Sequence, residues 1–426
     1  MDPTPIPVEG LGPRRAALGL LDAVLRRGQT LDGAAQRIAN EDRPLALAIA
    51  GETLRRLPEL DALIDSATRL PLADDAKARA VLRLALAQRL ALNVPDHALV
   101  ATALPLVEGG PRRLVHGVLG TLLRRGVSAA DETPLPAAVE ERWNSAWGSD
   151  VVAAARRAMV RRPPLDLSFA RDEEAKAFAE ETGGIQLAER HVRLHGGASV
   201  VDLPGFEAGG WWVQDLAASL AARLMPRGPA RVLDLCAAPG GKTMQMAAAG
   251  YDVTALDRSK SRLARLSANL ERTGLQAKTL VGEAIDFDAS GVSAGDPGGG
   301  GFDAVLVDAP CSATGTYRRH PEVLYRARPA VVAAATEAQA ALIAHAATLV
   351  RPGGTLIYAV CSLEREEGEA IVEAAAGLIL DPIRSEELPA GIVPDAHGRL
   401  RVLPTMLEPE GGLDGFFIAR LVRPLA

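Results

Sequence analysis

From about residue 200 to the C-terminus, short apolar runs alternate with helical patterns. RVLDL (231–235), DVTAL (252–256), KTLV (278–281), DAVLVD (303–308) and TLIYAV (355–360) are too short for helices. Runs apolar on both faces need cover on both faces, so the alternation predicts a parallel α/β sheet from about residue 200 onward. The final GFFIARLV reads as an antiparallel strand closing that sheet. The Gly-rich stretch 288–301 reads as a surface insertion with no part in chemistry.

The N-terminal third is different. Residues 12–127 show apolar side chains at three- and four-residue spacing, as in Ala17, Leu20, Leu21, Val24 and Leu25. Breaks fall at Pro44, Pro58, Pro71, Pro95 and Gly109-Gly110-Pro111, so 1–130 is expected to be an all-α domain of six or seven helices. A polar linker spans 128–138. Residues 139–200, with a helix from Glu140 to Arg161 (broken at Gly148), a strand at LDLSF (165–169) and a helix over 172–182, read as a small α+β module.

Charge is uneven. The 426-residue chain carries −6, which taken alone argues against a nucleic-acid partner. Residues 1–130 are slightly basic, however, and the acidity is concentrated after residue 360. Arg pairs at 14–15, 26–27, 55–56, 112–113 and 124–125 are most simply solvated helix faces, with a phosphate-binding face as the sharper alternative. The acidic tail is expected to have little to do with substrate. No run of 18 apolar residues lacks a charge, which gives no membrane-spanning candidate, and no signal peptide is read at the N-terminus. Three cysteines exclude a disulfide scaffold and favour a reducing, cytoplasmic setting.

RVLDLCAAPGGKT (231–243) is a strand, a small-residue loop and a helix start. Ala237, Ala238, Gly240 and Gly241 allow close backbone approach to a ligand, and the helix offers its N-terminal N–H groups. Gly241-Lys242-Thr243 matches the end of a Walker A loop, but Cys236 stands where its first Gly belongs and Pro239 stiffens the turn. A nucleoside cofactor fits better, because Asp257 ends the next strand, where a carboxylate can accept hydrogen bonds from a ribose diol.

All three cysteines fall at C-terminal ends of expected strands, where open α/β sheets bind ligands. Cys236 reads as a packing residue in the cofactor loop. Cys311 and Cys361 can face one cavity with Asp308. No metal site is read, since the His are scattered and no two Cys have ligand spacing.

DAPCSATG (308–315), RRHPEV (318–323), YAVCSL (358–363) and DGFFIARL (414–421) together resemble the Nop/Sun family of RNA cytosine-5 methyltransferases. CAAPGGKT (236–243) is similar to that family's S-adenosylmethionine loop, and VQDLAA (213–218) resembles its opening motif. Residues 12–127 resemble the NusB-like RNA-binding domain; RRLVHGVLGTLLRR (112–125) matches its last helix, with His116 where Asn is usual. The combination resembles the RsmB-type arrangement, which implies methylation of small-subunit ribosomal RNA.

The resemblance implies an α/β, Rossmann-like methyltransferase domain with a mostly parallel seven-stranded sheet over 201–426, and S-adenosylmethionine along Cys236, Ala237, Ala238, Pro239, Gly240, Gly241 and Lys242, with Asp257 on its ribose and Glu283 near its adenine. Asp308 would contact cytosine or cofactor, Cys361 would attack C6, and Cys311 would assist product release. Lys242 would stabilise Asp308 or a cofactor carboxylate. Arg318, Arg319 and His320 become candidate RNA-phosphate contacts. Val360 stands where the family has Thr, Glu283 where it has Asp, and the middle module lacks the family's Arg-Val-Asn signature. The implied partner is ribosomal RNA, with no membrane, for a protein acting as a monomer. The alternatives are the same chemistry on transfer RNA, or an RNA-binding or ribosome-assembly protein without catalysis.

Overall fold

The computed structural model describes residues 10–196, 199–228, 230–289 and 301–425. Residues 1–9, where no signal peptide is expected, and most of the Gly-rich stretch lie outside them. The chain forms two units, 1–162 with 317–328, and 163–316 with 329–426.

Among the described residues, seven helices occupy the N-terminal part of the first unit: Leu11–Leu25, Leu31–Ala35, Arg43–Arg55, Leu57–Ser66, Lys77–Ala91, Asp96–Ala103 and Gly109–Arg124. Pro44 and Pro58 sit in first turns, where a missing N–H costs nothing. Leu60, Ile64, Val81, Leu82, Leu86, Val115 and Leu119 are fully buried at their centre. Two more helices, Ala137–Trp147 and Ser149–Val160, meet at Gly148, whose φ of 85° suits glycine.

The α+β module expected at 139–200 is therefore divided. Its helices up to Val160 belong to the first unit, and its strands with the helix Asp172–Thr182 to the second. Periodicity cannot show which core an amphipathic face will join.

Residues 317–328 also join the first unit. Tyr317 packs edge-on against Trp143, with ring centroids 5.4 Å apart. Tyr325 donates to the Leu54 carbonyl at 2.8 Å, and Arg55 donates to the carbonyls of Met159 and Arg318 at 2.8 and 2.9 Å. Arg318, expected to meet RNA phosphate, is only 2% exposed and turned inward. Arg319 is half-buried and His320 exposed. Among the Arg pairs, Arg14, Arg55 and Arg56 are buried, and Arg26 and Arg27 pair with Asp22. Arg112, Arg113, His116, Arg124 and Arg125 remain exposed along or at the end of the helix Gly109–Arg124.

Among the described residues, the second unit holds twelve strands: β1 (Leu165–Phe169), β2 (Ile185–Ala188), β3 (His191–Leu194), β4 (Trp211–Val213), β5 (Arg231–Leu235), β6 (Asp252–Asp257), β7 (Lys278–Val281), β8 (Phe302–Asp308), β9 (Val350–Val360), β10 (Ile379–Leu380), β11 (Leu400–Val402) and β12 (Phe416–Val422). β2-β3-β1-β4 form a small antiparallel sheet. Within it Ser168, His191 and Asp166 lie side by side, but each is at most 1% exposed, so they form a structural cluster with Arg193 rather than a hydrolytic site.

The large sheet runs β10-β12-β9-β8-β5-β6-β7, with β11 also on β12. β7, β6, β5, β8 and β9 are parallel, and β12 is antiparallel to β9. β12 does not close the sheet; it lies inside the edge strand β10. Alternate residues feed two cores. Val232, Ala304, Leu306 and Ile357 face one, and Leu233, Val305, Val307 and Leu356 the other. The helix Pro329–Leu349 is long and apolar enough to pass as a membrane span despite Glu337, but it lays Leu342, Ile343, Ala346 and Leu349 on the second core. The strand order reverses between β5 and β8, which opens a crevice at their C-terminal ends.

Candidate active site

The loop after β5 is shaped mainly by backbone. Cys236 has φ 62° and Gly240 φ 107°. A Cβ on Gly240 would lie 2.0 Å from Leu266, which is itself fully buried, so only glycine allows the helix Lys260–Thr273 to pack so closely. Ala237 N–H donates to the Leu256 carbonyl at 3.0 Å, which ties the loop to β6.

Asp257, expected to hold a ribose, is 3% exposed. Its carboxylate accepts the N–H groups of Ala238 at 3.1 Å and Ser259 at 2.8 Å, and Arg262 lies 3.5 Å away. It fixes the loop. A ribose bond would have to use the remaining lone pairs. Glu283 is exposed just past β7, the neighbour of β6. Burial, with the nearby carboxylates of Asp308, Asp257 and Asp234, pushes the Cys236 thiol up to about 12, as expected of a packing residue.

Asp308 closes β8, and Lys242 donates to its Oδ2 at 2.7 Å. Lys242 is 9% exposed, with Nζ 5.4 Å from the Phe416 ring centroid. Burial works against its charge, but the attraction of Asp308 and the bond to it prevail and raise its pKa. The Walker-like Lys242 is thus engaged inside the unit. Beneath the loop, Asp234 accepts from Thr243 at 2.5 Å, and burial pushes its carboxyl up to about 7.

β8 and β9 run in parallel register, with Asp308 beside Ala359, so their following loops emerge together. Cys311 Sγ and Cys361 Sγ are 3.5 Å apart. The contact with Cys361, together with burial, raises the Cys311 thiol well above its ordinary range. Two glycines permit this closeness. Gly315 donates its N–H to the Cys361 carbonyl at 3.0 Å, and a Cβ there would stand 1.9 Å from the Gly415 carbonyl oxygen.

The acidic stretch after Cys361, read from sequence as remote from substrate, lies directly behind the thiols. Glu364, Glu367 and Glu369 are 3%, 0% and 5% exposed. Glu367 receives hydrogen bonds from Ser312 and Ser362, the residues following each cysteine. Arg401 pairs with Glu369 and donates to the Ser362 carbonyl. Sequence reasoning missed all of these; the available signal was that Ser follows both cysteines and that LEREEGE adjoins one. Among the described residues, no cluster of His, Cys, Asp or Glu is arranged to hold a metal.

The model of the family described as "16S rRNA methyltransferase RsmB/F" matches residues 221–422, and that of the NusB family matches 12–124. A Xylella fastidiosa protein named "Ribosomal RNA small subunit methyltransferase B" is 33% identical over 440 residues, 98% of this chain and 99% of the relative. The crystal structure of PH0851 superposes with a TM-score of 0.69 at 24% identity, over 98% of this chain and 99% of the other. NSun6 from Pyrococcus horikoshii, solved with SFG, gives 0.57 at 18% identity, over 68% and 98%. These two likenesses concern the fold.

Proposed function

The chain belongs to the RsmB/F family of 16S rRNA methyltransferases, and from that premise we propose that it methylates C5 of a cytidine in small-subunit ribosomal RNA through a covalent bond to Cys361. The observation that carries this reading is the pair of thiols 3.5 Å apart, on loops that leave neighbouring parallel strands beside Asp308 and Lys242.

The loop 236–242 fits S-adenosylmethionine: its residues are small, Gly240 adopts a conformation open to glycine, and Asp257 and Lys242 hold its two ends. That group supplies an electrophilic methyl on a sulfonium. The protein must make C5, a poor nucleophile, reactive. Cys361 adds its thiolate to C6, and the C5=C6 electron pair becomes available at C5. Asp308, oriented by Lys242, is suited to accept a bond from the cytosine amino group, and the Lys242 ammonium beside it offsets the negative charge that develops at N3 on addition. Once C5 carries the methyl group, Cys311, its own proton given up to solvent, takes the C5 proton on its thiolate; the C5–H electron pair reforms the double bond, the C6–S bond breaks, and Cys361 leaves as thiolate. The contact with Cys361 and burial raise the Cys311 thiol, which makes its thiolate a strong base suited to the proton, and Cys361, in the field of Lys242, is the nucleophile.

A target base inside a helix would have to be flipped out; an unpaired loop base is reached at lower cost. Arg112, Arg113, His116 and Arg124 offer the first unit's exposed positive face to phosphates. Both thiols must stay reduced, which suits the cytoplasm. The test is to incubate the protein with unmodified small-subunit RNA and labelled S-adenosylmethionine and to map 5-methylcytidine. Binding of RNA with no transfer would overturn the reading.

A further inference from the structure

Ser312 and Ser362 occupy equivalent places, each one residue after a cysteine, and both end on one carboxylate. Glu367 Oε1 accepts the Ser312 N–H at 2.8 Å and Gln339 Nε2 at 3.3 Å. Its Oε2 accepts the Ser362 hydroxyl at 2.5 Å and the Ser312 hydroxyl. Four donors thus converge on a group with about four acceptor sites and no donor.

The direction of these bonds is set from outside. Glu364 N–H donates to Ser362 Oγ at 3.0 Å, which leaves the Ser362 hydrogen for Glu367. Leu363 N–H likewise donates to Thr314 Oγ1 at 3.0 Å. Gln339 Nε2 also donates to the Pro310 carbonyl at 2.8 Å, so the chain on both sides of Cys311 is held. Tyr358 donates to the Glu367 carbonyl at 2.7 Å and thereby fastens Glu367 to β9. Glu367, Gln339, Tyr358 and Ser362 are all 0% exposed.

We propose that Glu367 is the positioning residue that sets the separation of the two thiols, by binding both of the serines that follow them. It touches neither substrate nor cofactor loop. It acts on the reaction through where Cys311 and Cys361 stand, and in this it rests on the two-thiol reading given above. The carboxylate is required as an acceptor: a glutamine there would turn an NH₂ toward hydroxyl or N–H donors, and the loops would part.

The experiment compares full-length wild type, Glu367→Gln and Glu367→Asp by two routes. One is turnover on small-subunit RNA. The other, without RNA, is the rate at which diamide, taking up the two thiol hydrogens, joins Cys311 to Cys361, read by peptide mass. Glu367→Gln is expected to lower both kcat and cross-linking by about 10- to 100-fold, the scale of a misplacement near 1 Å, while KM for RNA and S-adenosylmethionine affinity stay within about two-fold. Glu367→Asp, which keeps an acceptor-only group, should recover part of both.

Unchanged cross-linking in Glu367→Gln overturns the proposal, whatever happens to kcat. If wild type makes no 5-methylcytidine, the functional reading fails, and the cross-linking comparison still decides the role of Glu367. Should Glu367→Gln not fold in a thermal scan, Ser312→Ala and Ser362→Ala each remove one tie, and normal cross-linking in both overturns the proposal.

Discussion

The cofactor loop and the thiol loops sit at the same end of one sheet but are held in different ways. Residues 236–242 are fixed by neighbours from β6 and the helix after it: Leu256, Asp257, Arg262 and Leu266 all lie within 30 positions. The thiols draw their support from Gly315, Gln339, Glu367, Arg401 and Gly415, spread over a hundred residues of chain. The first is largely backbone geometry, the second a buried polar network in which each member is worth little without the rest. Damage to the loop should therefore appear as lost cofactor affinity, and damage behind the thiols as lost turnover.

The sharpest way to break this division is Cys361→Ala. Transfer should fall on the order of 10⁴-fold or more, as when other nucleophiles are removed, and covalent RNA capture should vanish. S-adenosylmethionine affinity, read by calorimetry, should not change; a loss there would show that the two regions are not separable. Cys311→Ala comes next. Turnover should drop by roughly 10²- to 10³-fold, the usual worth of a proton-transfer group, while a covalent RNA adduct accumulates on denaturing gels. Normal turnover in that variant would reverse the assignment of the thiols.

Gly240→Val probes the other side. Its side chain would meet Leu266 and force a non-glycine residue to φ 107°, costing about 1–3 kcal/mol in urea unfolding. Its cofactor affinity should fall further than kcat at saturating cofactor. The smallest effect concerns Asp234, whose carboxyl burial raises to about 7. A carboxyl raised on folding adds stability that is complete below its ordinary value of 3.8 and is lost as pH rises through 7. Asp234→Asn should flatten the fall in melting temperature between pH 5 and 8 that wild type shows; parallel curves would show that Asp234 does not titrate there.

The same contrast separates what is legible in the sequence from what is not. The five parallel strands and the small-residue loop were legible because each is a local pattern: short apolar runs, then Ala-Ala-Pro-Gly-Gly. Cys311, Cys361 and Asp308 stood out for their place after strands, and the sheet does bring the cysteines together. Glu367 and Glu369 were not legible. A run of acidic residues ordinarily faces water, and only the tertiary partners Ser312 and Arg401 make burial tolerable. Arg318 misled for the converse reason, since a cation beside another cation looks like a surface until Arg55 and the Tyr317–Trp143 contact are seen. The edge strands β10 and β11, two and three residues long, are too short to leave a periodic trace.

The excursion at 317–328 carries a consequence for the order in which the protein is completed. The helices up to residue 160 leave the ribosome long before Glu322, which accepts from the N–H of Leu31, and before Tyr325 and Arg326, which bond the carbonyls of Leu54 and Gly28. The helical unit is thus finished by a segment made after β5, β6, β7 and β8 of the large sheet. Its last turn of packing waits on synthesis of the loop that carries Cys311. The chain has no point at which a single cut yields both units whole, and a helical unit expressed alone would lack a piece that its partner's sequence encodes.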